Sequence, residues 1–362
     1  MSAMRILAAC SPGEIRVAMA VGEELIDYAL WRPGMPDGVG DLYRGRIIAV
    51  MPAMGGSFVK LEHEDGFLPD SKGAKGLTAG TILPVRVTRA ALGGKGPRLT
   101  AHVADMVPLG PMGLICRGQG ALEQFCHQHP DVTVLIDDPG VAADLRARIR
   151  NPVSVVRKAF GDAVEAQVEA LSDPIVTLRS GARLSIYPTP ALVAIDVDSG
   201  ASQASAGTVN RAVAPALARE IRLRNLSGAI VVDLAGLPIG KRAALGPAIA
   251  ASLANDPLQP RFLGFTALGL AEIMRTRVHP PLHELVAGPH AAGLAALRHI
   301  AANLDPDPRR LPDLKAAPSV IEALRRDPVA LPDMTRRAGR ALTLRSDPSL
   351  TGTEWRLEEE HA

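Results

Sequence analysis

The chain has 362 residues, of which 47% are hydrophobic and 22% are charged. This composition is too apolar for a disordered chain, and the length suffices for about two or three packed units. The 40 Lys and Arg nearly balance the 38 Asp and Glu, which excludes a polycation that coats nucleic acid by bulk charge. Aromatic residues are scarce, with two Trp, three Tyr and six Phe, so a surface on which nucleobases stack would have few members.

The cysteines indicate a reducing compartment. Cys10, Cys116 and Cys126 are too few for a disulfide framework and form no CxxC pair. Leu7-Ala8-Ala9-Cys10 looks like a lipoprotein cleavage box, but no apolar run of an export signal precedes it, so Cys10 is expected to be an ordinary strand residue. No uncharged apolar run approaches the roughly 18 to 20 residues of a membrane span. We expect a soluble cytoplasmic protein.

The first part of the chain has the pattern of short strands. Apolar runs alternate with turn residues over residues 5–31, which predicts β-hairpins. Residues 41–103 contain about five short strand-like segments separated by glycine, which is typical of a small barrel of the OB type. Residues 41–100 contain nine Lys and Arg and five Asp and Glu, so this segment is mildly basic.

Helices and strands alternate beyond the barrel. The predicted elements are a strand at 113–116, a helix at 118–127, a strand at 132–136 and a helix at 140–150. Two apolar strands, 191–195 and 228–232, then enclose a segment, 208–225, with apolar residues near helical spacing. This order predicts a strand, helix, strand unit. From Pro306 onward the chain is proline-rich and ends in Glu358-Glu359-Glu360, so we expect a loosely packed tail.

Acidic residues follow both apolar strands. Asp196 and Asp198 lie two apart, so period-two geometry places both side chains on one face, and Asp233 ends the second strand. If the crossover joins these strand ends, three carboxylates converge where open sheets usually bind ligands. Oxygen ligands without His or Cys suit Mg²⁺ or Mn²⁺ rather than zinc. The alternative is that the acids are solvated turn residues or helix N-caps.

The segments 191–200 and 219–233 resemble the catalytic signature of the ribonuclease E/G family. Asp41-Leu42-Tyr43-Arg44-Gly45-Arg46, Gly56-Ser57-Phe58-Val59 and Gly66-Phe67-Leu68-Pro69 are similar to the S1-type RNA-binding module of that family. The resemblance runs from about residue 5 to residue 288, with its pieces in the family order.

The resemblance implies an endoribonuclease that hydrolyses single-stranded, AU-rich RNA with Mg²⁺, leaving a 3′-hydroxyl and a 5′-phosphate. It implies that Asp196 and Asp233 bind the catalytic metal, with Mn²⁺ as a substitute. The family has Asn at the position of Asp198, and the Asp of this chain keeps the oxygen ligand while adding negative charge. The expected role is RNA processing, including rRNA processing, or RNA decay.

The resemblance also assigns RNA contacts. Phe58, Phe67 and Lys95 match the two aromatic residues and the lysine with which the S1-type module holds RNA, although the residues alone leave Phe58 open as a barrel-core residue. Arg117 matches the arginine that binds a 5′-monophosphate, and a guanidinium suits phosphate. Gly118 stands where the family has Thr, so a surface arginine without a sensing role is the alternative.

The implied fold is mixed α/β. It has an RNase H-like part interrupted by an S1-type OB-fold barrel and a 5′-sensor, followed by a DNase I-like catalytic part. The expected boundaries are 1–36 and 138–189 for the RNase H-like part, 37–104 for the barrel, 105–137 for the 5′-sensor, 190–290 for the catalytic part and 291–362 for the proline-rich tail.

Several departures from the family pattern bear on function. No CxxC pair occurs, so no structural zinc is expected, which argues against the zinc-bridged dimer and the tetramer built from it and leaves other homo-oligomers open. Ala267 replaces an arginine, and Gly236 stands where the family has a second acid. These losses leave a non-catalytic RNA-binding paralogue as the alternative to the nuclease.

Two clusters of metal-binding residue types are expected to be structural. Cys126-His127-Gln128-His129 has no second half elsewhere in the chain that would complete a zinc site. His279-Pro280-Pro281-Leu282-His283 has two prolines between its histidines, which predicts a rigid loop.

Overall fold

The computed structural model describes residues 3–103, 110–305, 307 and 310–358. The chain divides into two compact units. Unit 1 comprises Met1–Gly34, Ala121–Thr276 and Pro281–Ala362, and unit 2 comprises Met35–Gly120 and Arg277–Pro280. Unit 2 is therefore formed mainly by a segment inserted into the sequence of unit 1.

The chain begins with a three-stranded antiparallel meander, as the alternating pattern predicts. Its strands are β1 (Met4–Ser11), β2 (Glu14–Val21) and β3 (Glu24–Trp31). Gly13 forms the turn between β1 and β2 with φ of +75°, and a Cβ there would lie 2.6 Å from the Cβ of Ala330. Both the left-handed backbone and this close approach require glycine.

Unit 2 contains a closed barrel. Its strands are β4 (Leu42–Met51), β5 (Gly56–Lys60), β6 (Asp65–Pro69), β7 (Ile82–Arg89), β8 (Arg98–Thr100) and β9 (Gly113–Cys116). The hydrogen-bonded order is β5-β6-β8-β7-β4-β9, and pairing of β5 with β4 closes the first five strands into a ring. Ile47, Val59, Leu68, Val85 and Leu99 fill its centre. The predicted small barrel of about five short strands is confirmed, and it is consistent with the OB type.

The next segment completes the first sheet of unit 1. Its elements are α1 (Ala121–Gln128), β10 (Thr133–Ile136), α2 (Pro139–Arg146), β11 (Val153–Val155) and α3 (Asp162–Ala170). β10 pairs parallel with β1, which gives the order β11-β10-β1-β2-β3. Leu122 and Leu145 pack in the core cluster that contains Ile6, while Val164 and Val168 pack in the cluster that contains Leu7. Helices thus cover both faces of the sheet.

A second, six-stranded sheet follows. Its elements are β12 (Ile175–Thr177), β13 (Arg183–Pro188), β14 (Val193–Asp198), α4 (Ala206–Leu223), β15 (Gly228–Asp233), α5 (Ile239–Arg242), α6 (Gly246–Leu253), β16 (Arg261–Phe265) and β17 (Ala271–Arg275). The strand order is β12-β13-β14-β15-β17-β16. β14 and β15 are parallel and α4 connects them, which confirms the predicted strand, helix, strand unit. α4 buries Val209, Val213, Leu217 and Ile221 against this sheet.

The last part of the chain is folded. Its elements are α7 (Leu282–Leu285), α8 (Gly288–Ala302), β18 (Asp313–Ala316), α9 (Pro318–Arg326), α10 (Ala330–Ala338), β19 (Leu344–Ser346) and β20 (Trp355–Glu358). Strands β18, β19 and β20 form a small sheet in the order β19-β18-β20.

The expectation of a loosely packed tail is therefore wrong for the described part of this segment. Leu297, Leu314, Leu324 and Met334 are fully buried in one core cluster. The physical reason is that prolines here begin helices: Pro318 is the first residue of α9, where a missing N–H costs nothing. Pro306 and the final acidic residues 359 and 360 lie outside the described residues.

A buried carboxylate connects α2 to α10 within unit 1. Asp138 caps α2 by accepting hydrogen bonds from the N–H groups of Gly140 and Val141, at 2.8 and 3.0 Å. Its other oxygen accepts one from Arg337 at 2.6 Å. Burial raises the pKa of the Asp138 carboxyl, but the Val141 N–H and the guanidinium of Arg337 outweigh it, so that this pKa lies below its usual value.

Asp138→Ala should lower the free energy of unfolding by about 1 to 2 kcal/mol, because it removes the N-cap of α2 together with the ion pair to Arg337. Asp144→Ala, at an exposed position of the same helix, should change it by less than about 0.5 kcal/mol. Urea titrations of both variants measure the difference, and equal effects would contradict a capping role for Asp138.

The observed architecture is mixed α/β with a closed five-stranded barrel, as the sequence predicts. Among the described residues, no helix combines the length and apolar character needed to cross a membrane.

Candidate functional site

The two parallel strands of the second sheet bring the predicted acids together. Asp196 and Asp233 are register partners across β14 and β15. Asp196 and Asp198 alternate with the buried Ile195 and Val197, so both carboxylates lie on the exposed face of β14. Asp233 is likewise exposed at the last position of β15. All three acids therefore lie at the carboxyl end of adjacent strands, the usual ligand-binding edge of such sheets.

Asp196 is the carboxylate on which the negative charges of both other acids act. Partial burial, then the charge of Asp233 and then that of Asp198, raise the pKa of Asp196 above its usual value. Repulsion of this kind arises when carboxylates lie close together with insufficient positive charge between them. The edge thus favours a positive charge, whether a proton or a cation.

Asn210 fixes the loop that follows Asp233. This buried side chain on α4 donates to the carbonyl of Ala235 at 2.8 Å and accepts from the N–H of Ala235 at 3.0 Å. Asn210 is not among the site residues predicted from the sequence. Its signal was a polar residue among the apolar positions of an amphipathic helix, since a buried amide requires hydrogen-bond partners.

Arg242 is the second residue that the sequence analysis missed. Its guanidinium donates to the Oδ1 atom of Asp233 at 2.9 Å, and its side chain is only 12% exposed. It also donates to the carbonyls of Leu234, Leu237 and Gly269. These contacts hold the loop after Asp233 and orient one oxygen of its carboxylate.

The donor set of this edge fits a hard cation that keeps much of its water. Mg²⁺ in proteins is commonly bound by one or two carboxylates, with water completing an octahedral shell. Asp196 and Asp233 supply two such groups in register. Over residues 3–103, 110–305, 307 and 310–358, no group of three or more His, Cys, Asp or Glu side chains is arranged to hold a metal ion. The fit is therefore to a partly hydrated ion and not to a site closed by protein ligands.

Two departures from the family pattern, Gly236 and Ala267, lie in loops next to the residues that hold this edge. Gly236 follows the loop held by Asn210 and has a positive φ of 49°, a conformation that side-chain-bearing residues rarely adopt. Ala267 is exposed in the turn between β16 and β17, the turn whose Gly269 carbonyl binds Arg242. The guanidinium near Asp233 thus comes from α5.

Unit 2 presents the predicted aromatic pair on its surface. Phe58 and Phe67 are register partners on β5 and β6, and their rings form an edge-to-face pair with centroids 5.5 Å apart. The adjacent residues Val59 and Leu68 are fully buried in the barrel. Phe58 and Phe67 are only partly buried and are absent from that core cluster, so the barrel-core alternative for Phe58 is not supported.

Lys95 lies in the connection between β7 and β8. It is exposed, and its backbone forms a bridge with Leu92 through two 2.8 Å hydrogen bonds. It precedes Arg98, whose guanidinium carbon lies 5.6 Å from the centroid of the Phe67 ring.

Arg117 is occupied by an internal carboxylate. Its Nη1 atom donates to the Oδ2 atom of Asp41 at 2.6 Å, and the N–H of Gly118 donates to the Oδ1 atom at 2.7 Å. The side chain of Asp41 is 3% exposed, whereas that of Arg117 is 58% exposed. Arg117, which the resemblance assigns to phosphate binding, and the N–H of the following Gly118 thus both bind Asp41.

The two histidine clusters at 126–129 and 279–283 have contacts that stabilise the fold. Cys126 is fully buried, and burial, assisted by Glu123, raises the pKa of its thiol to about 12. The Nδ1 atom of His279 lies 2.6 Å from the Oδ2 atom of Asp37, which anchors the loop that begins there.

Comparison with known proteins finds relatives over the region that contains the acidic edge. Residues 143–278 match the Ribonuclease E/G family. A Ribonuclease E of Haemophilus influenzae is 24% identical over 385 residues, covering 75% of this chain and 41% of the relative. A Ribonuclease E of Synechocystis is 34% identical over 133 residues, covering 35% of this chain and 20% of the relative. A Ribonuclease G of Escherichia coli is 28% identical over 130 residues, covering 34% and 27%.

The chain spans less than half the length of these relatives. The matched region contains α4 and both strands that carry Asp196 and Asp233. These findings confirm the resemblance seen in the motifs: residues 143–278 match the model of the Ribonuclease E/G family, and the relatives named Ribonuclease E and Ribonuclease G are similar to this chain at moderate identity.

Proposed function

We propose that this protein is an endoribonuclease that hydrolyses phosphodiester bonds of single-stranded RNA with Mg²⁺. The observation that carries the proposal is the register pairing of Asp196 with Asp233 at the carboxyl end of two parallel strands within the family region. The raised pKa of Asp196 supports a cation as the partner of this edge. RNA processing, including that of rRNA, or RNA decay in the cytoplasm is the expected role.

Each site residue has a proposed part. Asp196 and Asp233 hold the ion, and Asp198 adds negative charge beside them from the same exposed face of β14. Mg²⁺, or Mn²⁺ in its place, would supply a bound water of lowered pKa and neutralise charge on the phosphodiester. Arg242 orients the Asp233 carboxylate. Phe58, Phe67 and Lys95 bind RNA on unit 2.

The proposed layout follows the same family. The first sheet of unit 1 combines β1 to β3 with β10 and β11, which lie on either side of the barrel in the sequence. This arrangement supports an RNase H-like part interrupted by an S1-type barrel. The six-stranded sheet is proposed as the DNase I-like catalytic part.

A non-catalytic RNA-binding protein is the second candidate function. The ion pair between Arg242 and Asp233 favours it, since a fixed guanidinium already neutralises one of the two principal carboxylates. The exposed Ala267 and the left-handed Gly236 add no acid or base to the edge.

Incubation of a 5′-monophosphorylated single-stranded RNA with the purified protein distinguishes the two functions. The nuclease should release fragments with 5′-phosphate and 3′-hydroxyl ends in Mg²⁺ and none in EDTA. RNA binding without products at any Mg²⁺ or Mn²⁺ concentration would favour the second candidate.

The state of the RNA 5′ end should have little influence on cleavage. The Asp41 carboxylate forms a charge-assisted pair with Arg117 and so already neutralises the guanidinium that a 5′-phosphate would bind. We therefore expect the cleavage rates for 5′-monophosphate, 5′-hydroxyl and 5′-triphosphate versions of one RNA to agree within about threefold. A tenfold difference in rate would correspond to about 1.4 kcal/mol in the free energy of activation. A tenfold advantage of the monophosphate that Arg117→Ala abolishes would show instead that Arg117 is a working sensor.

A further inference from the structure

A row of side chains crosses four strands of the barrel in unit 2. Phe58 of β5 pairs with Phe67 of β6, Phe67 pairs with Arg98 of β8, and Arg98 pairs with Arg89 of β7. Residues directly opposite one another on neighbouring strands have adjacent side chains. The row therefore runs from two aromatic rings to two guanidinium groups without interruption.

Arg98 and Arg89 differ in their surroundings: Arg98 is exposed beside an aromatic ring, whereas Arg89 is partly buried. The guanidinium of Arg98 lies over the Phe67 ring, with 5.6 Å from its Cζ atom to the ring centroid, and the side chain is exposed. Arg89 is partly buried, and its Nε atom is buried without a hydrogen-bond partner. A buried donor of this kind normally has a partner, so its orphan state calls for an explanation.

The surroundings of Arg89 are positive. Burial is the largest cause that lowers the pKa of Arg89, and the charges of Arg98 and Arg277 lower it further. Arg277 belongs to the short segment that joins β7 through the hydrogen bond from the Ala90 N–H to the Val278 carbonyl, at 2.9 Å. Arg89 thus lies in the field of two other guanidinium groups, one of which, Arg98, is its register partner.

Two acids of the barrel, Asp41 and Asp65, have other partners. Among the described residues, Asp41 pairs with Arg117 and Asp65 pairs with Lys60. Over the same part of the chain, no ion pair involves Arg89 or Arg98. Like charges held together without a counter-ion destabilise a fold and recur where an anion binds.

We propose that Arg98 and Arg89 form a phosphate-binding subsite for single-stranded RNA whose bases stack on Phe58 and Phe67. This inference rests on the proposed RNA-binding function of the barrel and adds the position of the RNA backbone to it. The bases stack on the aromatic rings, which accept any base sequence. The guanidinium groups bind the phosphates next to those bases. Guanidinium groups suit this task because they donate two parallel hydrogen bonds to phosphate oxygens.

The salt dependence of RNA binding separates the two halves of the row. Each phosphate contact of a single strand contributes about 0.7 to the slope of log K against log salt concentration. Arg98→Ala and Arg89→Ala should each reduce the slope by about 0.7, whereas Phe58→Ala should weaken binding at every salt concentration and leave the slope unchanged. Arg98→Lys should restore most of the slope, since the charge is kept.

Fluorescence anisotropy of a labelled oligouridine, titrated with the full chain between about 50 and 200 mM salt, provides these slopes. Arg326→Ala is the matched control, because it removes the same charge from an exposed site of α9 in unit 1. Wild-type slopes in Arg98→Ala and Arg89→Ala, or an equal reduction in Arg326→Ala, would overturn the subsite. Failure of the wild type to bind RNA at any salt concentration would overturn the RNA-binding function itself, which is a distinguishable result.

Discussion

Asp196→Asn and Asp233→Asn should each reduce RNA cleavage by about a thousandfold while leaving RNA affinity near that of the wild type. The two carboxylates are register partners and the proposed ligands of the metal. Metal-assisted stabilisation of the phosphodiester transition state is worth several kcal/mol, and each tenfold in rate corresponds to about 1.4 kcal/mol. Because an amide keeps the shape of the carboxylate but loses its charge, the change should act mainly on metal binding.

The measurement is single-turnover cleavage of a labelled RNA over a range of Mg²⁺ concentrations. Asp162→Asn is the matched control, since it removes an exposed carboxylate at the start of α3 and should retain the wild-type rate. Asp196→Asn is also informative without metal. Asp196 ionises against repulsion in the folded protein, so the Asn variant should melt at the wild-type temperature or above it in EDTA. Variants that cut as fast as the wild type would refute the proposed metal edge.

The acidic edge could be predicted because it depends on local periodicity. Apolar residues alternate with Asp196 and Asp198 along β14, and a helix of sufficient length returns the chain to a parallel β15. These two facts place Asp233 beside Asp196 without any knowledge of the rest of the molecule. The barrel was predictable for the same reason, since its strands are short and separated by glycine.

The residues that orient the edge and occupy Arg117 were not predictable in this way. Asn210 reaches Ala235 and Arg117 reaches Asp41 across 25 and 76 positions of the sequence. No pattern of spacing encodes such a contact, because it depends on the tertiary approach of two elements. The helices after Pro306 are hidden by composition, because a proline-rich segment is typical of a loose tail although proline also begins helices.

Phe58→Ala combined with Phe67→Ala should weaken binding of single-stranded RNA by about 2 to 6 kcal/mol, since a stacked base is worth roughly 1 to 3 kcal/mol per aromatic ring. The two rings contact each other edge to face, so part of the effect of each single variant is the loss of orientation of the other ring. The double variant should therefore differ from the sum of the single variants. Both side chains lie outside the barrel core, so the fold should be retained.

Equilibrium binding of oligouridine to the single and double variants measures this effect, with thermal unfolding as the test of folding. Phe262→Ala is unsuitable as a control because Phe262 packs against the core of the six-stranded sheet, whereas Tyr187→Ala changes an aromatic residue that is 52% exposed on β13 of unit 1. Tyr187→Ala should bind as the wild type does. If the double variant binds equally well, the aromatic pair does not hold RNA, and the surface edge-to-face contact would serve only to stabilise the hairpin of β5 and β6.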